Sequence, residues 1–334
     1  MKKLFIFLPF IFLFACKQGK YIPNVSNIQV QLTVERFEEG FFTIDTNNIS
    51  SSIIQLQKKY PDFLADYLFK ILAVNPQRDS LSKYVKLFIR DYGSINNDVE
   101  KKFPSFDMYK KQIENMFRFI QYYFPQYSLP KKIVTFTGPI EGISNALMPN
   151  AIAIGLQSYL GQNYPAYQTE YINEIYPAYK TRKFAPEYIT VNCAKNILDD
   201  MYPPNTTGMP LVEQMIDTGK RLYILDAVLP DTADSIKTGY TQRQLQGCYA
   251  NEKNIWSYFV ENNLLFENDP STIAEYINDG PSTPEIGSDS PGFIGQFTGW
   301  QIVKKWMNKN ENISLDELMK TSNKKIYTEA KYKP

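Results

Sequence analysis

The most specific chemical signal in the sequence is Cys16, which ends the run LFAC near the amino terminus. Lys2 and Lys3 are followed by the uncharged apolar stretch 4–14, a small residue and then this thiol, the order found in bacterial lipoprotein signals. In such signals the maturation enzymes attach diacylglycerol to the cysteine and cleave the chain in front of it. The apolar stretch is too short to cross a bilayer, for which a helix needs about 20 residues. We therefore predict a signal peptide over residues 1–15 and a lipid on Cys16, rather than an ordinary secretory signal with a chance cysteine.

The second chemical observation is an absence, because the sequence contains no histidine. Histidine is the commonest general base near neutral pH and the commonest metal ligand. A Ser-His-Asp triad, a Cys-His dyad and every His-ligated zinc site are therefore excluded. Carboxylate-only mechanisms, Ser-Lys pairs and oxygen-ligated calcium stay open, but no catalytic constellation stands out. We predict no catalytic residue, no metal ligand and no cofactor.

One group of polar and aromatic residues could line a pocket. Asn251 and Glu252 precede Trp256, which follows the glutamate by four residues and would share its helix face. We favour the alternative in which Trp256 is part of the core and both polar groups are structural.

Three glycines mark a place where another backbone could approach closely. Gly292, Gly295 and Gly299 are three and four residues apart and precede Trp300. If helical, they would share a face, and a helical glycine costs about 0.5–1 kcal/mol relative to alanine. A packing or functional reason is therefore expected, and we predict close packing or a pocket at these residues.

A metal or a disulfide could cross-link the fold at two other places. Asp226, Asp231 and Asp234 cluster near a turn, but they lack the alternating oxygens and the glycine of a calcium loop. An exported compartment would permit a disulfide between Cys193 and Cys248, although two cysteines do not establish proximity. We expect neither link.

The composition indicates a globular protein. Lysine and arginine number 36 against 35 acidic residues, so removing Lys2 and Lys3 changes the formal net charge from +1 to −1. This balance gives no electrostatic footprint for nucleic acid. Aromatic residues, at 15%, supply ample apolar surface for a core. We predict a lipidated linker over 16–27 and a single globular domain over 28–334.

Hydrophobic periodicity predicts an α+β fold that is predominantly helical, with many helices around a small buried sheet. Strands are expected at 28–36, at 131–137 and, in the centre of the fold, at 151–159. Capping boxes are predicted at Thr241–Gln244 and at Ser314–Glu317, where a hydroxyl residue precedes Gln or Glu by three positions.

Longer segments have helical patterns. Two helices are expected between 165 and 202. An apolar helix face covers 211–229, and one long helix is expected from 241 to about 266.

Several segments in one order resemble a known family. They are ERFE, KKYPDFLADY, IAIGLQSYLG, GKRLYILDAVLPDTADSIKTGYTQRQL, YANEKNIWSYFVENNLLF, PGFIGQFTGWQIV and AKYKP. With the lipoprotein signal ahead of them, they resemble the GldB family of gliding-motility lipoproteins. The resemblance implies a membrane-anchored component of the surface-gliding apparatus without assigned enzymatic activity.

A weaker likeness concerns the segment YPAYQTEYINEIYPAY, which follows IAIGLQSYLG. Zincin-like peptidases place a His-Glu-x-x-His helix after an edge strand, and here Glu170 and Glu174 stand without any histidine. The likeness implies a degenerate zincin-like fold whose catalytic metal site is gone, with these two glutamates as candidate pocket residues.

Two function classes stay open. The first is a non-catalytic lipoprotein, attached to a membrane through Cys16, that binds other motility or envelope proteins from a body facing the periplasm. The second is a ligand-binding or remnant hydrolase domain that acts on peptides or glycans.

Overall fold

The computed structural model describes residues 22–75 and 78–334. The predicted signal peptide and Cys16 lie outside these residues. Among the described residues, no helix has both the length and the hydropathy needed to span a membrane.

Four strands in the described residues form one mixed sheet. They are β1 Thr33–Arg36, β2 Lys132–Phe136, β3 Asn145–Met148 and β4 Ala151–Gly155. The strand order is β1-β2-β4-β3, with β1 and β4 parallel to β2, and β3 antiparallel to β4. Every residue of β4 is buried, as expected for an inner strand of a sheet that is covered on both faces.

Helices make up most of the remaining structure, which confirms the predominantly helical α+β prediction. Their bounds are α1 Phe37–Phe41, α2 Ile49–Lys59, α3 Leu64–Asp66, α4 Arg78–Lys102, α5 Asp107–Tyr123, α6 Glu170–Ile175, α7 Ala178–Thr181, α8 Ile189–Met201, α9 Leu211–Val228, α10 Asp234–Thr238, α11 Gln242–Ala250, α12 Glu252–Glu261, α13 Pro270–Ile277, α14 Ile294–Lys309, α15 Leu315–Lys320 and α16 Asn323–Ala330. A π-helical turn, Tyr67–Ile71, follows α3.

The sheet separates two apolar clusters because successive side chains of a strand point to opposite faces. Ile133, Ile152 and Ile154 belong to the larger cluster, which Val99 of α4 and the helices from α5 onward complete. Val134 and Ala153, the alternate residues, belong to a smaller cluster with the aromatic rings of α1 and of the segment that includes α3. The inner strands therefore stabilise both halves of the core.

Two strand predictions need correction. The first strand is shorter than 28–36, because side chains of α5 bond the backbone ahead of β1: Leu32 N–H donates to Glu114 (3.0 Å) and Arg118 donates to the Ile28 carbonyl (3.2 Å). The predicted strand 151–159 ends at Gly155, where a 3₁₀ turn begins. Strand β3 was not predicted, because its four residues are too few to show a period.

The helix predictions also differ in detail. Both capping boxes are present at the starts of α11 and α15. The long helix expected from 241 is interrupted at Asn251 and becomes α11 and α12. Three short or medium helices, α6 to α8, occupy the region where two were expected.

Helices α9 and α14 pack with their backbones in direct contact. A Cβ atom placed on Gly299 would lie 1.7 Å from the Met215 carbonyl oxygen, and one placed on Gly219 would lie 2.3 Å from the Gly299 backbone. Both distances are far below van der Waals contact, so no other residue fits without separating the helices.

We expect Gly299→Ala to lower the free energy of unfolding by at least about 1–3 kcal/mol, the usual cost of overpacking a core. Gly247→Ala in α11 is the matched control, because a Cβ there meets no atom within 4 Å. That substitution should stabilise by about 0.5–1 kcal/mol, the helical difference between alanine and glycine. Denaturant titration of both variants measures these changes, and an unaltered Gly299→Ala protein would contradict the close packing.

Candidate functional site

A cleft of about 340 Å³ lies between the sheet and the start of α14. Its walls come from the loop before β3, the α6–α8 region, the turn after α10 and the segment between α13 and α14. The lining residues include Ser144, Tyr159, Tyr176, Lys180, Lys183, Asn192, Lys195, Gly239, Asp279 and Gln296. This volume is in the usual range for small-molecule sites, roughly 300–1,000 Å³.

One wall of the cleft contains the phenol of Tyr159, whose hydroxyl both donates and accepts a hydrogen bond. The buried Tyr159 hydroxyl donates to Asn145 Oδ1 (2.8 Å) on β3 and accepts from Asn192 Nδ2 (3.0 Å) on α8. Burial raises the pKa of Tyr159 far above its ordinary value. The phenol therefore stays neutral and holds α8 against the edge strand.

The loop before β3 is fixed by a buried amide. Gln157 Oε1 accepts from the Gly138 N–H (2.9 Å), and Gln157 Nε2 donates to the carbonyls of Pro139 and Ile143 (both 3.4 Å). These bonds satisfy backbone groups of the loop, and the Gly155 N–H at the end of β4 donates to the Ser144 carbonyl (2.5 Å), which holds Ser144 at the cleft.

An ion pair crosses the cleft. Lys183 Nζ lies 2.5 Å from Asp279 Oδ2, and its methylene chain runs over Gly239. Gly239 has a φ of 73° and ends α10 in the left-handed region that favours glycine. A side chain at position 239 would meet Lys183 Cε at 3.2 Å, so the glycine allows the lysine to reach across.

Lys195 on α8 is the most perturbed amine of the cleft. Its side chain retains solvent access through the mouth, but burial among the cleft walls lowers its pKa to about 8. The Lys183 ammonium lowers the pKa further, while Asp279 and Asp199 oppose the shift. In the described residues, the side-chain amines of Lys180 and Lys195 have no hydrogen-bonded or ion-paired partner.

The polar group behind the cleft involves Trp300. Its Nε1 donates to Asp226 Oδ2 (3.0 Å), and the buried Lys237 ammonium contacts Asp226 (2.8 Å) and Asp234 (2.9 Å). These carboxylates raise the pKa of Lys237 against the effect of its burial. Two of the three aspartates considered for calcium, Asp226 and Asp234, are therefore paired with a lysine, whereas Asp231 lies in the lining of another cavity.

Glu170 and Glu174 are not in the cleft. Both are exposed on the six-residue helix α6, whereas Tyr176, just beyond it, reaches the lining. The helix that packs against the edge strand β3 is α8, whose cleft-facing residues are Asn192 and Lys195. Glu170 and Glu174 therefore share no pocket with the charged groups of the cleft.

The residues near α12 separate into two environments. Asn251 lines a different cavity of about 370 Å³ with Cys248 and Tyr258, in which Asp289 is the one charged residue among the described residues of the lining. Glu252 accepts a short hydrogen bond from Tyr332, and the Trp256 ring meets Tyr332 edge-on at 5.0 Å. Glu252 and Trp256 thus hold the carboxyl-terminal segment.

The three glycines also lie in two different environments. Gly295 and Gly299 lie in α14, while Gly292 precedes the helix and touches the Gly280 backbone.

Cys193 and Cys248 are buried free thiols and form no disulfide with each other.

Sequence reasoning missed the cleft residues Asn192, Lys183 and Lys195. The available signal was modest: three lysines, at 180, 183 and 195, in a segment that also contains Arg182 and Glu187. Their convergence on one cleft depends on the turn between α7 and α8, which no local pattern specifies.

Fold and site together define a class of protein. The chain is a predominantly helical α+β protein with a polar, lysine-lined cleft. The residues that the structure describes contain no group of three or more His, Cys, Asp or Glu placed to hold a metal ion.

A family comparison identifies the chain more closely. The family model described as Gliding motility protein GldB matches residues 18–334, nearly the whole chain. The chain belongs to this family and is a gliding-motility lipoprotein. No curated protein matches it, and no solved structure does.

We expect Lys195 to titrate near pH 8. Competitive amine labelling between pH 6 and 11, followed by peptide mass spectrometry, gives its titration curve. Lys183→Met should raise the pKa of Lys195 because it removes a neighbouring positive charge, and Asp279→Asn should lower it because it removes a negative one. A curve that neither substitution moves would contradict the proximity of these groups.

Proposed function

We propose that this protein is a lipid-anchored, non-catalytic component of the gliding machinery that binds other proteins of the cell envelope. The family match over residues 18–334 is the observation on which this rests. The predicted lipid on Cys16 would attach the body to a membrane, with the body in the periplasm. Attachment raises the local concentration of the body near envelope partners.

The chemistry of the chain supports a role by contact. Without histidine, general base catalysis near neutral pH needs a carboxylate or an amine with a shifted pKa. Glu38 is buried, paired with Arg36 and bonded by Thr135, and it lies in the aromatic cluster away from the cleft lining. Asp279 is paired with Lys183 at 2.5 Å. The cleft thus offers amines and amides, which suit binding better than hydrolysis.

The second candidate function is a ligand-binding or remnant hydrolase domain. Of these two alternatives, the lysine-lined cleft favours a ligand-binding domain over a remnant hydrolase. Replacing Glu170 and Glu174 together by Gln separates the two forms, because a hydrolase that uses these carboxylates would lose function. We expect cells with this double variant to spread normally.

Deletion of the gene should abolish spreading over surfaces while the cells remain viable. Complementation with the wild-type gene is the control and should restore movement. Spreading assays on agar, with growth curves in liquid medium, measure both properties. Normal spreading of the deletion strain would refute the motility role.

Cys16→Ser should prevent lipid attachment, since a hydroxyl does not replace the thiol in diacylglyceryl transfer. Labelling of cells with a clickable fatty acid measures this directly. We expect no label on the variant and weak or absent complementation of movement, because an untethered body loses its local concentration. Cys248→Ser is the matched control and should label like wild type. Equal labelling of the Cys16 variant would end the lipoprotein interpretation.

A further inference from the structure

We propose that the cleft between α8 and the start of α14 binds a phosphate monoester. The inference concerns a small ligand of the cleft and does not depend on the protein contacts proposed above. Three lysines and one carboxylate are the charged groups in its lining: Lys180, Lys183, Lys195 and Asp279. Their sum is an excess of two positive charges, which matches a phosphate dianion.

Only one of these amines is neutralised within the cleft. Lys183 is paired with Asp279 at 2.5 Å. Lys180 and Lys195 have no bonded partner in the described part of the chain, and the nearest other carboxylate to act on Lys195, that of Asp199, is paired with Arg221 at 2.7 Å. The cleft therefore contains two ammonium groups that no carboxylate of the described residues bonds.

The excess of two positive charges favours a phosphate dianion over a carboxylate, which would compensate only one of them. A guanidinium pairs with either anion through two parallel bonds, whereas a lysine binds either one as a point charge. The nearby Arg182 is not part of the lining, and its guanidinium bonds the Gly239 carbonyl (2.7 Å) and Gln244 (3.5 Å). The lining therefore presents ammonium groups and no guanidinium.

Neutral donors stand beside the amines. A primary amide has two N–H donors. Asn192 uses one on Tyr159 (3.0 Å), and Gln296 uses one on the Thr238 carbonyl (3.0 Å). Asn192 therefore retains a second N–H for a phosphate oxygen, whereas Gln296 also bonds the hydroxyl of Tyr240.

Aromatic rings complete the lining and indicate a ligand body with an apolar face. They are Tyr159, Tyr176, Phe184, Tyr188 and Phe293. Such rings pack against the C–H face of a sugar or against an acyl glycerol. The phosphate monoester could therefore be a soluble sugar phosphate or a lipid headgroup, and the experiment distinguishes these sources.

The test is calorimetric titration of the full-length protein in detergent at pH 7 with glucose 6-phosphate, glucuronate and glucose. We expect glucose 6-phosphate to bind at least about tenfold more tightly than glucuronate, and glucose to give no measurable heat. The second arm uses the Cys16→Ser protein, which carries no lipid of its own, with vesicles of phosphatidylcholine with and without phosphatidic acid. Retention by phosphatidic acid vesicles alone would support the same site with a lipid source. Failure of both arms, or equal binding of glucuronate, would overturn the proposal.

Variants locate the site. Lys195→Met and Lys180→Met should each weaken binding about tenfold or more, because each removes a charge-assisted contact. Lys195→Arg keeps the charge and should retain most of the affinity. Lys70→Met is the matched control for net charge, since Lys70 is exposed and paired with Asp66 at 2.8 Å. Melting curves verify that each variant folds, and equal affinity of Lys195→Met and wild type would reject the assignment.

The pH dependence adds a readout that a structural role would not give. The phosphate stays dianionic above pH 7, since its second pKa is near 6. Lys195 loses its proton through a pKa of about 8, so affinity should fall as the pH rises above that value. The other titratable groups facing it are Lys183, Asp279, Asp199 and the cleft tyrosines. Affinity of Lys195→Met should not show this fall, and an identical pH profile in both proteins would contradict the role of Lys195.

Discussion

The backbone contact between α9 and α14 is the constraint on which most of the larger core depends. Gly219 and Gly299 remove the side chains that would separate the helices, and the Met215 carbonyl occupies the space that a Cβ at position 299 would need. Because the axes are so close, Trp300 reaches Asp226 on the facing helix. The first turn of α14 also supplies Gln296 to the cleft. The geometry of the candidate site therefore depends on the packing of α9 against α14, which lie buried behind it.

Two buried lysines on or beside α9 show how this core accommodates charge. Lys237 has two carboxylate partners, and they raise its pKa despite burial. Lys220 donates instead to the carbonyls of Met319 and Thr321 at the end of α15, where helix carbonyls lack intrahelical partners. Burial lowers the pKa of Lys220 to about 8, since carbonyl oxygens compensate a positive charge less fully than a carboxylate does. Lys195 has a similarly low pKa without any bonded acceptor, which distinguishes a cleft amine from a structural one.

The sequence predicted features that depend on neighbours along the chain, and failed where distant segments decide. The capping boxes at Thr241 and Ser314 are local, so their residue types were sufficient. The predominantly helical fold around a small sheet followed from periodicity. Strand β3 could not be predicted from periodicity because it is only four residues long. The shortening of β1 could not be predicted either, because the distant Glu114 bonds the backbone ahead of it. The cleft could not be found because its charged groups come from α7, α8 and the α13–α14 segment, which meet only in the folded protein.

The pairing of charges also explains why binding is a better expectation than hydrolysis. Arg221 engages Asp199 and Asp217, Lys237 engages Asp226 and Asp234, and Arg36 engages Glu38. A carboxylate that already bonds a cation is less available to contact a ligand or to take a proton from it. With histidine absent, the polar groups in the cleft that remain free to meet a ligand are chiefly amines and amides. Such groups donate hydrogen bonds to an anion without removing a proton from it. The arrangement fits a protein whose site recognises a negatively charged group and whose role in motility is exerted by binding.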